Sequence, residues 1–420
     1  MNPSLSERDK RVIWHPFTAQ KYAPDPIPIV KGDGVYLTDI NGRNYIDAIS
    51  SWWVTIHGHA HPYIAQKIYE QAMTLEQVIF AGFTHEPAIR LAEKLLNLLQ
   101  GPYTRIFYSD NGSTATEVAI KMAIQYWWNK GDSKRKKIVA LRNSYHGDTF
   151  GAMSISDRGI FTMAFQDRLF EVIYIDAPQP ENVKTMESIV DWADVACIIY
   201  EPLVQGAGGM LMYDAASLNR LLNICKQQDV ICIADEVMTG FGRTGKLFAS
   251  MNCDTKPDIV CLSKGLTGGT LPMGVTACTD QVYQAFVSDD KLKTFFHGHS
   301  FTANPLACAA ALASIDLLEK ESCSLQREMI CRMHEDEFEY LQLTHFDSIS
   351  NLRQWGTILA FEVNDKTSSY LNSISAEITK KAMEQGVFIR PLGNTVYLMP
   401  PYNITAEELQ HVYTVVRSMF

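Results

Sequence analysis

The chain has no Cys-x-x-Cys pair, although nine cysteines are spread along it. Cys197, Cys232 and Cys261 lie inside apolar runs, where a thiol behaves as a small hydrophobe. An odd number of scattered thiols argues against a disulfide framework and fits a reducing compartment. Long apolar runs are also missing: no stretch approaches the roughly 18 residues that span a bilayer. The segment from Met1 to Arg11 lacks the apolar core of a secretory signal. A cytoplasmic protein without membrane contact is expected. Positive charge is scarce as well. With a net charge of −10 and a single basic block, Lys134 to Lys137, neither nucleic acid nor an anionic membrane is the expected partner. That block reads as a solvated loop before a strand. Internal repeats and low-complexity segments are absent, and the glycine-rich stretch Gly240 to Gly245 does not match the dinucleotide fingerprint G-x-G-x-x-G.

A chain of 420 residues with 46% hydrophobic content is long enough for a large core and for two domains. From about residue 104 to 280, short runs rich in Val, Ile and Tyr alternate with longer amphipathic segments, the pattern of an α/β fold with a mainly parallel sheet. Seven strands are expected, at 104–109, 137–142, 171–175, 195–200, 230–234, 258–263 and 273–278. Before them, Pro24, Pro26 and Pro28 lead into a meander of short strands in which Asn41-Gly42 reads as a tight hairpin turn. An alanine-rich helix from Leu306 to Leu318 leads out of the sheet. The expected organisation is an N-terminal segment 1–60, a large domain 61–315 and a C-terminal part 316–420, both chain ends building one smaller α+β domain.

In open α/β sheets, ligands bind outside the carboxyl ends of the strands. Five polar groups come directly after expected strands here: Asn111-Gly112-Ser113, Tyr145-His146-Gly147, Glu201-Pro202, Asp235-Glu236 and Lys264. Together they describe one pocket. Pyridoxal phosphate needs an amine to hold its aldehyde as a Schiff base and a carboxylate to keep its pyridine nitrogen protonated. Lys264 and Asp235 offer both. A lone lysine after a buried strand is ordinarily a solvated loop residue; the surrounding groups set this one apart. The helix after Ser113, with Thr114 and Glu117 at capping-box spacing, presents free N–H groups and its positive dipole end to a phosphate. Gly112 allows close approach there and Ser113 adds a hydroxyl; a plain helix cap is the alternative. Tyr145 offers a face for a pyridine ring, Val237 the opposite one, and His146-Gly147-Asp148 reads as loop. Glu236 is expected to face a neighbouring loop. His57, His59 and His61 alternate as strand residues would, without carboxylate or cysteine partners in the motif, so no metal site is expected.

The ordered set Asn41-Gly-Arg43, Asn111-Gly-Ser113, Tyr145-His-Gly147, Glu201-Pro202, Asp235 to Gly245, Ser263-Lys264-Gly265 and His297 to Pro305 resembles the class III aminotransferases of the fold type I pyridoxal phosphate superfamily. The resemblance implies Lys264 as the Schiff-base lysine, Asp235 on the pyridine nitrogen, Tyr145 and Val237 on the ring faces, and Gly112 and Ser113 on the phosphate. It also implies a homodimer with shared active sites, in which Ser300, where many relatives have Thr, reaches the phosphate of the second subunit. Trp14 to Thr18, Ser51-Trp52-Trp53, His57 to Pro62, Arg390 to Asn394 and Tyr397 to Tyr402 are similar to the branch that aminates 8-amino-7-oxononanoate to 7,8-diaminononanoate in biotin biosynthesis. Substrate contacts are then expected at Phe17, Trp52, Trp53, Tyr145, Gly298 and Arg390. Physically this suits a nine-carbon acid: an aromatic slot for the chain and a guanidinium for the carboxylate. The alternatives are a Trp pair in the core or an interface, and Arg390 in a structural ion pair. S-adenosylmethionine is the implied amino donor. Many relatives that use it have Tyr where this chain has Phe17, so lysine stays open as donor. The rivals are another ω-aminotransferase and a non-catalytic nucleotide-binding protein.

Overall fold

The computed structural model describes residues 3–345, 347–364 and 374–419. Its central sheet has seven strands in the order Tyr103–Ser109, Gly274–Thr279, Ile259–Leu262, Ile231–Asp235, Val195–Tyr200, Lys137–Leu141 and Ile173–Ile175. All seven expected strands are present, their ends displaced by two residues at most. The five strands from Ile259–Leu262 to Ile173–Ile175 run parallel. Gly274–Thr279 is antiparallel to both its neighbours.

The apolar runs are continuous because both faces of the sheet are covered. Ile198 and Tyr200 point into one apolar cluster, Cys197 and Ile199 into another. The first cluster takes Leu91 and Leu95 of helix Glu86–Leu99 and Leu218 and Leu221 of helix Ala215–Gln227. The second takes Ala115, Val118, Ala119 and Met122 of helix Gly112–Asn129. That helix therefore lies flat on the sheet with its N-terminus at the carboxyl ends of the strands.

Both chain ends meet in a second sheet. Strands Ile29–Asp33, Tyr36–Asp39 and Asn44–Asp47 form the expected meander, and Val387–Phe388 joins the last of them in parallel. The expected Asn41-Gly42 hairpin turn is present: Gly42 N donates to Asp39 O at 2.9 Å, with Gly42 at a φ of 81°. Asp39 N donates to Arg43 O at 2.9 Å across the turn, and the Asp39 carboxylate accepts from the N–H groups of Asn41 and Arg43, both at 2.9 Å. A third sheet, antiparallel, comprises Ile349–Trp355, Ile358–Val363 and Thr395–Leu398. No helix among the described residues is long and apolar enough to cross a membrane.

Two expectations change. In the basic block, Lys134 and Lys136 are exposed, but Arg135 stacks on Trp127 at 4.4 Å and donates to the carbonyls of Val195 and Gln228. The segment carrying His57, His59 and His61 is not a strand. His57 Nε2 meets the Ser314 carbonyl at 2.8 Å, and burial pushes this imidazole down to about 3. His59 finds a carboxylate outside its own motif, Asp47 at 2.8 Å. No cluster of metal-ligating side chains occurs among the described residues.

Candidate active site

A cavity of about 420 Å³ opens at the carboxyl ends of the sheet, lined by Gly112, Ser113, Tyr145, His146, Glu201, Asp235, Val237 and Lys264 among others. All five polar groups at the strand ends therefore reach one space. Asp235 ends its strand, buried. Its Oδ2 lies 2.6 Å from His146 Nδ1 and its Oδ1 accepts from Val237 N at 3.0 Å. His146 lies in a loop, as expected, yet its side chain is the partner that orients the carboxylate, and its buried Nε2 has no hydrogen-bond partner. Glu236 turns away, accepting from Ala249 N, Ser250 N and Thr239 Oγ1.

Lys264 stands just beyond strand Ile259–Leu262 with φ of 45°. Its Nζ lies 4.3 Å from the centre of the Trp53 ring. Desolvation lowers its pKa to about 8, against the upward pull of Asp235 and Glu201. Glu201 goes the other way: burial raises it to about 7. Its carboxylate accepts from Tyr145 N at 3.0 Å and Gly206 N at 2.8 Å, so it sets the backbone that carries Tyr145.

At the start of helix Gly112–Asn129 the cap differs from expectation. Asn111 is the N-cap and Thr114 its capping-box partner: the Asn111 side chain accepts from Thr114 N, and Thr114 Oγ1 from Asn111 N. Glu117 is drawn away by Thr149 Oγ1, Gly151 N and Ala152 N. Helix starts leave N–H groups without intrahelical acceptors, here beside a forced glycine. A Cβ on Gly112 would come within 2.7 Å of Val237 Cγ1.

The Trp pair is split by its backbone. Ser50, Ser51 and Trp53 have positive φ values of 51°, 59° and 73°, a cost of roughly 1–2 kcal/mol each. Hydrogen bonds from Ser50 Oγ to Met399 O, Ser51 Oγ to Asp47 and Trp53 Nε1 to the Tyr397 hydroxyl offset it. Trp53 is buried beneath Lys264, so it shapes the inner cavity and not an outer slot. Trp52 is half-exposed and meets Phe17 edge-on at 5.5 Å. Phe17 meets Phe161 at 5.7 Å, and Phe161 meets Tyr145 at 6.3 Å. The Arg390 guanidinium lies 5.3 Å from the Trp52 ring centre. Sequence reasoning misses Phe161, because its loop carries no pattern that marks it. Phe161, Tyr145, Leu392 and Asn394 line a second cavity of about 560 Å³, and Tyr145 and Gly147 line both. Gly298 and Ser300 line neither cavity; they sit exposed on a separate loop, where Gln77 Nε2 donates to the Ser300 carbonyl at 2.6 Å.

Comparison with known proteins agrees with this geometry. The profile of the family "Aminotransferase class-III" matches residues 17–420. The adenosylmethionine-8-amino-7-oxononanoate aminotransferase of Synechococcus elongatus is 46% identical over 97% of this chain and 98% of its own. The crystal structure of the adenosylmethionine-8-amino-7-oxononanoate aminotransferase from Methanocaldococcus jannaschii superposes with a TM-score of 0.93 at 36% identity, covering 99% of this chain and 98% of that one. An amine transaminase from an uncultivated Pseudomonas species, solved with pyridoxal phosphate bound, gives a TM-score of 0.90 at 30% identity, covering 97% and 98%. The chain belongs to the class III aminotransferases, with the fold type I architecture.

Proposed function

We propose that this protein is a pyridoxal phosphate-dependent transaminase that converts 8-amino-7-oxononanoate to 7,8-diaminononanoate, with S-adenosylmethionine as amino donor. The observation that carries the reading is the convergence of Lys264, Asp235 and the helix start at Gly112 on one cavity, beside an aromatic row that ends at Arg390. The residues fit the cofactor. Gly112 lets the helix start pack closely against Val237, where a Cβ would come within 2.7 Å of Cγ1, Ser113 adds a hydroxyl, and the helix start suits a dianion. Bound there, pyridoxal phosphate supplies an aldehyde that takes up an amino group and a ring that accepts the electrons left at carbon.

The chain's own groups do the rest. Lys264 would hold the cofactor's aldehyde, and its Nζ would move a proton at the donor α-carbon as general base and acid. Asp235, oriented by His146, sets a negative charge at the pyridine nitrogen. Tyr145 and Val237 hold the ring between them. Trp52 and Phe17 flank the apolar chain of the keto acid, Trp53 backs the reacting end, and Arg390 takes the distant carboxylate. Arg390→Ala is expected to raise KM for the keto acid about 30-fold while leaving the donor half-reaction within a factor of about three, as for a lost charge-assisted contact of about 2 kcal/mol. Steady-state kinetics and stopped-flow absorbance read the two effects separately.

We assign the working unit to a cytoplasmic homodimer whose sites are shared, Gly298 and Ser300 entering the partner's pocket. Support comes from adjoining exposed apolar residues. Asn304 Nδ2 reaches Glu76 O and Gln77 Oε1 at 3.1 Å, bringing together segments that expose Ile79, Phe83, Phe296 and Phe301. The test is a half-reaction: purified, cofactor-loaded enzyme is mixed with S-adenosylmethionine or with lysine and the cofactor absorbance is tracked. Conversion by S-adenosylmethionine alone is expected. Conversion by lysine alone would keep the reaction and change the donor, while conversion by neither would overturn the assignment in favour of another ω-aminotransferase.

A further inference from the structure

The loop carrying Gly298 and Ser300 is held by a line of four titratable side chains that no catalytic step uses. Lys121 Nζ lies 2.8 Å from His297 Nδ1, His297 Nε2 lies 3.0 Å from His299 Nε2, and His299 Nδ1 lies 3.1 Å from Asp110 Oδ2. The chemistry permits one direction only. An ammonium can only donate, so His297 Nδ1 accepts and its proton sits on Nε2. His297 Nε2–H then donates to His299 Nε2, which leaves the His299 proton on Nδ1, pointing at the Asp110 carboxylate. Both imidazoles must be neutral for the line to close.

Its two ends have different neighbours. Lys121 is on helix Gly112–Asn129, and Asp110 directly precedes Asn111, the N-cap of that helix. Asp110 Oδ1 is buried with no hydrogen-bond partner, so His299 is the side chain that engages this carboxylate. His297 is stacked on Phe295 at 5.7 Å and packed against Phe107 at 6.1 Å. We propose that His299 is a positioning residue that locks the 297–300 loop to the turn cradling the cofactor phosphate. It thereby couples the phosphate contacts of one subunit to those of its partner. This rests on the cofactor and dimer assignments proposed for the same site.

The coupling is pH-sensitive. The charged and titratable groups facing the pair are Lys121 and Glu117 from the helix and Asp110 from the turn. Burial, then Lys121 and His299, hold His297 below the ordinary imidazole value, with Glu117 opposing. Protonating His297 sets N–H against the Lys121 ammonium. Protonating His299 strengthens its contact with Asp110 but sets N–H against N–H at His297. The line is complete while His297 is neutral and opens when it gains a proton, which burial, Lys121 and His299 defer to a pH below the ordinary imidazole value.

Pyridoxal phosphate affinity of the apo form, measured by fluorescence titration between about pH 8 and 5.5, where imidazoles titrate, tests this. His299→Leu should weaken binding about tenfold at the alkaline end, the scale of one lost charge-assisted contact, and fall on acidification no further than protonation of Lys264 requires. His299→Gln can accept from His297 and donate to Asp110 without titrating. It should bind as wild type, because it completes the line as His299 does. Wild-type affinity and pH dependence in both variants would overturn the positioning role. A wild-type protein that took up no pyridoxal phosphate would instead overturn the cofactor assignment, and this inference with it.

Discussion

Lys264→Ala is expected to lower kcat on the order of 10⁴-fold or more, since it removes both the covalent anchor and the group that moves the proton. Folding should survive, because the side chain makes no hydrogen bond that the fold needs and its neighbours Ser263 and Leu262 stay in place. The assay is single-turnover conversion of the bound cofactor by S-adenosylmethionine; a loss of less than about a hundredfold would count against Lys264 as the reacting amine. Its depressed pKa adds a second signature. Capture of the cofactor aldehyde needs the neutral amine, so the capture rate of the apo protein should rise about tenfold per pH unit below about 8 and level off above it. Stability carries the same signature. Between about 8 and the ordinary value of 10.5 the unfolded chain holds more of this proton than the folded one. The apo protein therefore gains stability from this group as pH rises through that window. Lys264→Ala removes that slope, which urea titrations at several pH values would reveal.

Asp235→Asn keeps shape and loses charge. The amide oxygen can still accept from Val237 N, while the amide NH2 faces His146 Nδ1 and can donate to it once the imidazole proton sits on Nε2; in the native chain these two atoms meet the carboxylate at 3.0 and 2.6 Å. The negative charge opposite the pyridine nitrogen disappears, and it is set in a buried site where fixed charges act at low effective dielectric. A fall in kcat of about 10²–10³-fold is expected for losing one preorganised electrostatic partner, with a smaller loss of cofactor affinity. Rapid-mixing absorbance on saturated enzyme separates the two. A variant within about tenfold of wild type would show that the pyridine nitrogen does not depend on this carboxylate.

The strands and the polar residues at their ends are legible in the sequence because both signals are local. A six-residue apolar run rich in β-branched residues such as Val195–Tyr200 reads as a strand covered on both faces, and the residues after a parallel strand are delivered to the same edge of the sheet. Asp235, Glu201, Tyr145, Ser113 and Lys264 share a cavity for that reason. Fine assignments that depend on competing partners are less legible. Thr114 answers Asn111 and not Glu117, because Glu117 is claimed by the start of helix Phe150–Ile155, whose Thr149, Gly151 and Ala152 donors lie far along the chain from it.

From its own residues the chain determines the seven-stranded α/β frame, the ring of chemistry at its edge and, through the order of its motifs, its family. Only the folded molecule decides how that ring is completed. It pairs His146 with Asp235 and separates Trp52 from Trp53. It brings Phe161 beside Phe17, and it lines up Lys121, His297, His299 and Asp110. Each of these joins residues brought together by packing between distant segments or set by a strained backbone. Periodicity reports which face of an element is apolar; it does not report which polar groups from other elements will meet there.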